Sequence, residues 1–233
     1  MRPKDSLPIK ELFDTVSPTY DFLNDLFSFG LHRLWKRQFL RWLNPTYGEN
    51  WADLCCGTGD LSISLAKLLG PNGSVLGIDF SSSQIALAKK RAFKASIQSV
   101  SWLEADVLDN QLQSSSFDGV VMAYGLRNLS DPASGLHHMQ RLLKPGGRAG
   151  VLDFNHTREG SLSSVFQKCY LRKFVVPLAS TMGLREEYSY LEESLKSFPT
   201  GSLQKDMAIS VGFKKASYRL IAGAQMGALL LQA

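Results

Sequence analysis

The residues best suited to chemistry form a glycine turn followed by carboxylates at regular intervals. Asp53-Leu54-Cys55-Cys56-Gly57-Thr58-Gly59 closes a short apolar run, and Asp79 stands twenty residues beyond Gly59 at the end of the next run. Asp106 follows the third. Gly57 and Gly59 let the backbone turn tightly and approach a ligand without side-chain interference. Asp79 is placed to accept hydrogen bonds from both hydroxyls of a ribose, and Asp106 to meet an adenine edge. A dinucleotide would need Gly-x-Gly-x-x-Gly, or Ala at the last position, so that its pyrophosphate could rest on a helix N-terminus. Here the third position is Ser62, and Asp60 would set a negative charge beside that phosphate. S-adenosyl-L-methionine carries a sulfonium cation and no phosphate, so a rim of Asp53, Asp60, Asp79 and Asp106 suits it. The pattern predicts a methyl donor.

The elements that must hold these residues can be read from periodicity. Strands are expected over Asn50–Leu54, Ser74–Asp79, Val100–Glu104, Gly119–Tyr124 and Ala149–Phe154. Helices are expected between them over Asp60–Leu69, Ser82–Ala95 and Pro132–Leu143. Such alternation implies right-handed crossovers and a parallel sheet with helices on both faces. Residues 160–197 read as helical and irregular, broken by Pro177 and Pro199, and Gly201–Val211 as a further helix. Phe213–Leu220 and Gln225–Leu231 flank Gly223 as an antiparallel pair closing one sheet edge. Before residue 50, Leu31, Leu34, Trp35, Phe39, Trp42 and Leu43 read as one helical face, and Arg33, Lys36, Arg37 and Arg41 mostly as the other. The expected organisation is a helical cap over residues 1–48 and a Rossmann-like domain over 49–233, with a helical insertion at about 158–200.

Composition sets the outer bounds. The 233 residues are 44% hydrophobic and 20% charged, which excludes disordered and collagen-like chains. No apolar run approaches the roughly 20 residues of a spanning helix, and the N-terminal residues do not read as a secretory signal. Cys55, Cys56 and Cys169 form neither a disulfide framework nor a zinc spacing. A reducing, cytoplasmic setting and no metal are expected. The net charge of +5 is uneven: residues 46–143 hold 7 basic and 9 acidic side chains, and both flanks are basic. A basic flank fits either a solvated surface or an anionic partner such as a lipid surface.

Several segments together resemble a known family, the ubiquinone/menaquinone C-methyltransferases within the class I S-adenosylmethionine-dependent methyltransferases. They are Phe13-Asp14 with Tyr20–Asn24, Asp53–Asp60, Tyr124-Gly125-Leu126-Arg127-Asn128, Leu142–Gly147, Tyr188–Pro199, and Gly212-Phe213 with Gly223. The likeness runs through nearly the whole chain. It implies a seven-stranded sheet and donor contacts at Thr58, Asp79, and Asp106 with Val107. Ala123 stands where many bacterial members have serine. Asp53, Gly57, Gly59 and Phe80 complete the expected donor-binding set. The Cys55-Cys56 and Asp153-Phe154-Asn155 variants look like the cyanobacterial and plastid branch. That branch methylates demethylphylloquinol, on the way to phylloquinone, and menaquinone- or benzoquinol-type acceptors are the alternatives.

The implied reaction moves a methyl group from sulfur to a ring carbon of a reduced prenylated quinone. Such a carbon is a weak nucleophile until a neighbouring hydroxyl loses its proton. The site therefore needs alignment, a proton acceptor and stabilisation of the resulting phenolate. Arg127 cannot act as a base; it suits the oxyanion role, or else pairs with a carboxylate to fix its loop. Asn128 could orient a water or the ring oxygen. Asp60 could take the proton through water or merely orient the donor. His156, just past the fifth strand, is the histidine best placed as base. Phe22, Leu23, Leu26, Phe27 and Phe29, with Leu171 and Phe174–Leu178, could line an isoprenoid channel or simply form core. Tyr188 carries the same pair of readings. The basic face at Arg33–Arg41 could rest on anionic headgroups, giving peripheral contact with a membrane, the thylakoid in that branch. An RNA methyltransferase should show interleaved basic and aromatic residues, which are not evident, so no nucleic acid is expected. A non-catalytic, donor-binding scaffold subunit would have no need of Arg127 and Asn128. An oligomer is compatible with the sequence.

Overall fold

The computed structural model describes residues 30–109, 111–156, 194–195 and 197–233. The N-terminal aromatic cluster, Leu171–Leu178 and Tyr188 lie outside the described residues, as does most of the expected insertion. Helix α1 (Leu31–Leu43) precedes a core in which strands and helices alternate: β1 (Asn50–Leu54), α2 (Asp60–Leu69), β2 (Ser74–Asp79), α3 (Ser82–Lys94), β3 (Val100–Glu104), β4 (Phe117–Ala123), α4 (Pro132–Leu142) and β5 (Leu143–Phe154). Helix α5 (Gly201–Ser210), β6 (Lys215–Ile221) and β7 (Met226–Gln232) follow.

The sheet has seven strands in the order β3-β2-β1-β4-β5-β7-β6. The first five run parallel; β7 enters antiparallel between β5 and β6. This is the α/β architecture that the alternation predicts, with the edge pair the sequence places after Gly212. The order reverses between β1 and β4, which opens a crevice at their carboxyl ends where ligands bind in such sheets.

Two apolar clusters cover the sheet. One gathers Leu54, Ile78, Met122, Leu136, Met139 and Leu229 under α4 and α5. The other gathers Phe39, Leu43, Trp51, Leu65, Leu69 and Leu152 under α1 and α2. Local signals start the helices where expected. Asp131 accepts hydrogen bonds from the N–H groups of Ala133 and Ser134 ahead of Pro132, and Ser81 accepts from Gln84.

Some expectations shift. Strand β5 begins at Leu143, not Ala149, because Leu143 pairs with Phe117 across a register irregularity that absorbs the Pro145-Gly146-Gly147 turn residues. Strand β4 ends at Ala123, and Tyr124 takes a positive φ of 61°. The larger correction concerns α1. Its buried arc is His32, Phe39, Leu40 and Leu43, while Leu31 and Leu34 are exposed alongside Arg33, Arg37 and Arg41. Lys36 falls on the inner arc, not on the basic face, because it stands one turn after His32 and one before Leu40.

Candidate active site

The crevice is built from the ends of five parallel strands. After β1 the chain turns through Cys55, at a φ of 57°, into Gly57 and Gly59. Gly59 precedes α2 at a φ of 79°, and a Cβ there would lie 2.4 Å from the Trp102 ring. Only glycine fits that close packing of helix on sheet. The Gly57 N–H donates to Asp79 Oδ2 (2.8 Å) and the Ser81 N–H to Asp79 Oδ1 (3.0 Å). One carboxylate thus ties the glycine turn to the end of β2. Thr58 is buried, and its Oγ1 accepts from Arg91 Nη1 at 2.6 Å.

Asp53 sits beneath this turn, 1% exposed. Its Oδ2 accepts from Ser62 Oγ at 2.5 Å, while Oδ1 is buried without a hydrogen-bond partner. Burial pushes its pKa up to about 7, against the lowering effects of the Ser62 bond and the Lys36 charge. Ser62, at the third position of the glycine pattern, is therefore the residue that holds Asp53. Asp60 opens α2, where its charge complements the helix dipole. Burial raises its pKa, but Lys36, then Arg91 and His32, bring it below the usual range. Lys36 Nζ lies 2.8 Å from Asp60 Oδ2 and Arg91 Nη2 lies 3.7 Å from Oδ1. A carboxylate so engaged is better placed to orient a ligand than to take a proton.

Asp106 follows β3, and its Oδ1 accepts the Leu108 N–H at 2.8 Å. That bond starts a single 3₁₀ turn whose first residue, Val107, is buried. Phe80 follows Asp79, and Ala123 ends β4; both are half-buried. The residues expected on the donor side thus follow the strand ends along one rim, in strand order.

On the acceptor side, Arg127 and Asn128 lie in a 3₁₀ turn after β4. Arg127 Nη1 donates to the Tyr124 carbonyl (2.8 Å) and to Asp153 Oδ1 (3.2 Å), and its guanidinium lies 5.2 Å from the Phe154 ring centroid. Its Nε is buried without a partner. Asn128 Nδ2 donates to the same carbonyl (3.1 Å), which leaves Oδ1 buried and unpartnered. After β5, Asn155 is pinned by the Tyr218 hydroxyl and the Ala224 carbonyl. His156 Nδ1 lies 2.8 Å from the Phe198 carbonyl. A carbonyl only accepts, so Nδ1 carries a proton, and the tautomer this contact selects is the one whose lone pair is on Nε2. Asp153, Lys36 and Ser62 are the contributors that sequence reasoning missed. The signal for Lys36 was its place one turn from two buried positions of α1.

The fold is shared with known methyltransferases at low identity. An S-adenosylmethionine-dependent methyltransferase from Aquifex aeolicus superposes with a TM-score of 0.62 at 17% identity, covering 84% of this chain and 88% of that one. A Thermotoga maritima S-adenosylmethionine-dependent methyltransferase gives 0.65 at 18%, covering 95% and 98%. The ubiE/COQ5 methyltransferase family profile matches residues 1–228. The chain belongs to this family. It is a methyltransferase, and its methyl donor is S-adenosylmethionine. A 2-phytyl-1,4-naphtoquinone methyltransferase of Trichormus variabilis is 42% identical over 224 residues, covering 96% of this chain and 97% of the relative. The chloroplastic 2-phytyl-1,4-beta-naphthoquinone methyltransferase of Arabidopsis thaliana is 39% identical over 222 residues, covering 94% and 85%.

The site fits the donor of this family. An unpartnered buried Asp53 oxygen calls for a cation or donor group, and the fixed Asp79 carboxylate stands where a ribose would lie in such sheets. Among the described residues, no group of three or more His, Cys, Asp or Glu side chains is arranged to hold a metal ion. No described helix is long and apolar enough to cross a membrane.

Proposed function

We propose that this methyltransferase methylates a ring carbon of a reduced, prenylated naphthoquinone, with demethylphylloquinol as its acceptor. The observation that carries the reading is identity of about two residues in five, along nearly the whole chain, to relatives named for that quinone. Bound S-adenosylmethionine supplies an electrophilic methyl group; the chain must supply an activated ring carbon.

Three groups at the ends of β4 and β5 are assigned to that activation. His156 Nε2, freed for the task by the Phe198 carbonyl, takes the proton from a ring hydroxyl. Arg127 Nη1 holds its loop on Asp153, while Nε–H is a buried donor with no partner and faces the developing phenolate. Asn128 Oδ1, also buried and unpartnered, orients the second ring hydroxyl by accepting from it. Asp60 stays ion-paired and keeps the donor end in place.

The same reading places the enzyme at a membrane surface, where a phytylated substrate resides. The outer face of α1 carries Arg33, Arg37 and Arg41 beside Leu31 and Leu34, which are 44% and 54% exposed. Arginines flanking exposed leucines suit anionic headgroups over an acyl boundary.

A single-turnover assay with labelled S-adenosylmethionine tests the proposal. The acceptors are chemically reduced demethylnaphthoquinone, the same compound without reductant, and a benzoquinol. Carbon methylation of the reduced naphthoquinol alone is expected. Preference for the benzoquinol, or transfer to the oxidised ring, would overturn it.

A further inference from the structure

Two stretches without regular structure of their own meet at His156. Asn155-His156 leaves the end of β5, and Phe198-Pro199 runs into α5. His156 Nδ1 rests on the Phe198 carbonyl, so its ring is only as well placed as those two stretches are. Tyr218 of β6 reaches both. Its hydroxyl donates to Asn155 Oδ1 at 3.0 Å. Asn155 is buried; its Nδ2 donates to the Ala224 carbonyl (2.8 Å) and its N–H to the Gln225 carbonyl (2.9 Å). On the other side, the buried Gln204 of α5 hydrogen-bonds to Tyr218, and its Nε2 donates to the Pro199 carbonyl at 2.8 Å. Hydrogen bonds and chain together close a ring through Tyr218, Asn155, His156, Phe198, Pro199 and Gln204. The Tyr218 ring is itself confined, since a Cβ at Gly201 of α5 or Gly227 of β7 would collide with it.

We propose that Tyr218 is a positioning residue for methyl transfer, fixing the backbone of His156 through Asn155 and its hydrogen-bond acceptor through Gln204. The role rests on His156 as the proton acceptor. A satisfied buried polar network holds its members in one arrangement, whereas apolar packing tolerates several side-chain directions. A general base needs the narrower control, because it must stand within hydrogen-bond reach of the proton it takes. A misplacement of about 1 Å can cost about 10²-fold in rate. Tyr218 lies on the far side of β7 from β5, so the brace also makes the antiparallel edge of the sheet part of the acceptor site.

The test is a double-mutant cycle on the full chain. Single-turnover transfer to reduced demethylnaphthoquinone is measured in Tyr218→Phe, His156→Gln and the double variant, with S-adenosylhomocysteine affinity by calorimetry beside it. Tyr218→Phe keeps the ring between the two glycines and removes only the hydroxyl. It is expected to slow transfer at saturating donor and quinol about tenfold or more, with S-adenosylhomocysteine affinity and quinol half-saturation within about twofold. In the His156→Gln background the same substitution is expected to change the rate by less than about twofold, because no base is left to position. Gln204→Leu breaks the other arm and is expected to repeat both results. Losses that multiply in the double variant, or full activity in Tyr218→Phe, would make Tyr218 part of the scaffold alone and overturn the proposal while leaving His156 as the base. Full activity in His156→Gln would overturn the base assignment and the positioning role with it.

Discussion

Arg127 and Asp153 form a buried ion pair between the ends of β4 and β5, with Nη1 3.2 Å from Oδ1 and the Arg127 N–H 3.2 Å from Oδ2. Two bonds from one residue to one carboxylate fix the turn that carries Asn128. Asp153 is almost wholly buried, and burial raises its pKa despite the Arg127 charge. Replacing Arg127 with methionine strips the carboxylate of its cation, which costs about 3–5 kcal/mol for a pair of this kind. In the variant the folded state holds a proton on Asp153 that the unfolded chain has released. Its stability therefore falls more steeply with rising pH than that of the wild type. Urea unfolding at pH 6 and pH 8 measures this, and an equal loss at both would show that the charge is not what is missed.

Asp53 gives the donor site its own pH dependence. Its ordinary value of 3.8 is raised to about 7, chiefly by burial. Between those values the folded protein holds a proton that the unfolded chain lacks, so Asp53 lowers stability as pH rises through that window. A ligand ammonium reverses the balance by favouring the carboxylate. Donor binding near pH 6.5 is thus expected to release a proton, detected as a dependence of binding enthalpy on the buffer. Asp53→Asn abolishes the release and weakens binding. A variant that still releases the proton would move its origin elsewhere.

His156 owes its proposed role to a tautomer set by a neighbour. Replacing it with glutamine keeps a donor for the Phe198 carbonyl and removes the Nε2 lone pair. Single-turnover transfer to the reduced quinol should fall about 10²–10⁴-fold, the usual worth of a positioned base, while S-adenosylhomocysteine affinity stays within twofold. A matching fall in that affinity would mean that the loop after β5 had moved and that the base lies elsewhere.

Much of this arrangement is legible in the sequence because it is encoded locally. The glycine turn, Asp79 and Asp106 each close a strand, and strand ends are marked by period and by turn residues. What escapes is set by packing across the sheet. Nothing near Asp153 in sequence says that its partner is Arg127, twenty-six residues away in the turn after β4. Strand β5 starts six residues early because Leu143 finds Phe117. In α1, apolar type misplaces Leu31 and Leu34, whereas position on the helix puts Lys36 inside with His32, Leu40 and Leu43. Residue type and helical angle disagree there, and the angle decides.

The outward face of α1 predicts how the protein meets its lipid-soluble substrate. Arg33, Arg37 and Arg41 project from one exposed arc of α1, the side from which an external anion would approach. Each basic residue near an anionic bilayer is worth about 1 kcal/mol, screened over a Debye length. Exchanging all three for glutamine should therefore reduce binding to vesicles containing phosphatidylglycerol by about two orders of magnitude. Binding to the wild type should also weaken between 50 and 300 mM salt. Leu34→Ser should loosen binding with little change in its salt dependence, because it removes apolar contact and leaves the charge. Co-sedimentation with vesicles reads all of these. Transfer to a short-chain, water-soluble quinol should be unaffected by the triple substitution, which separates a docking face from the catalytic crevice.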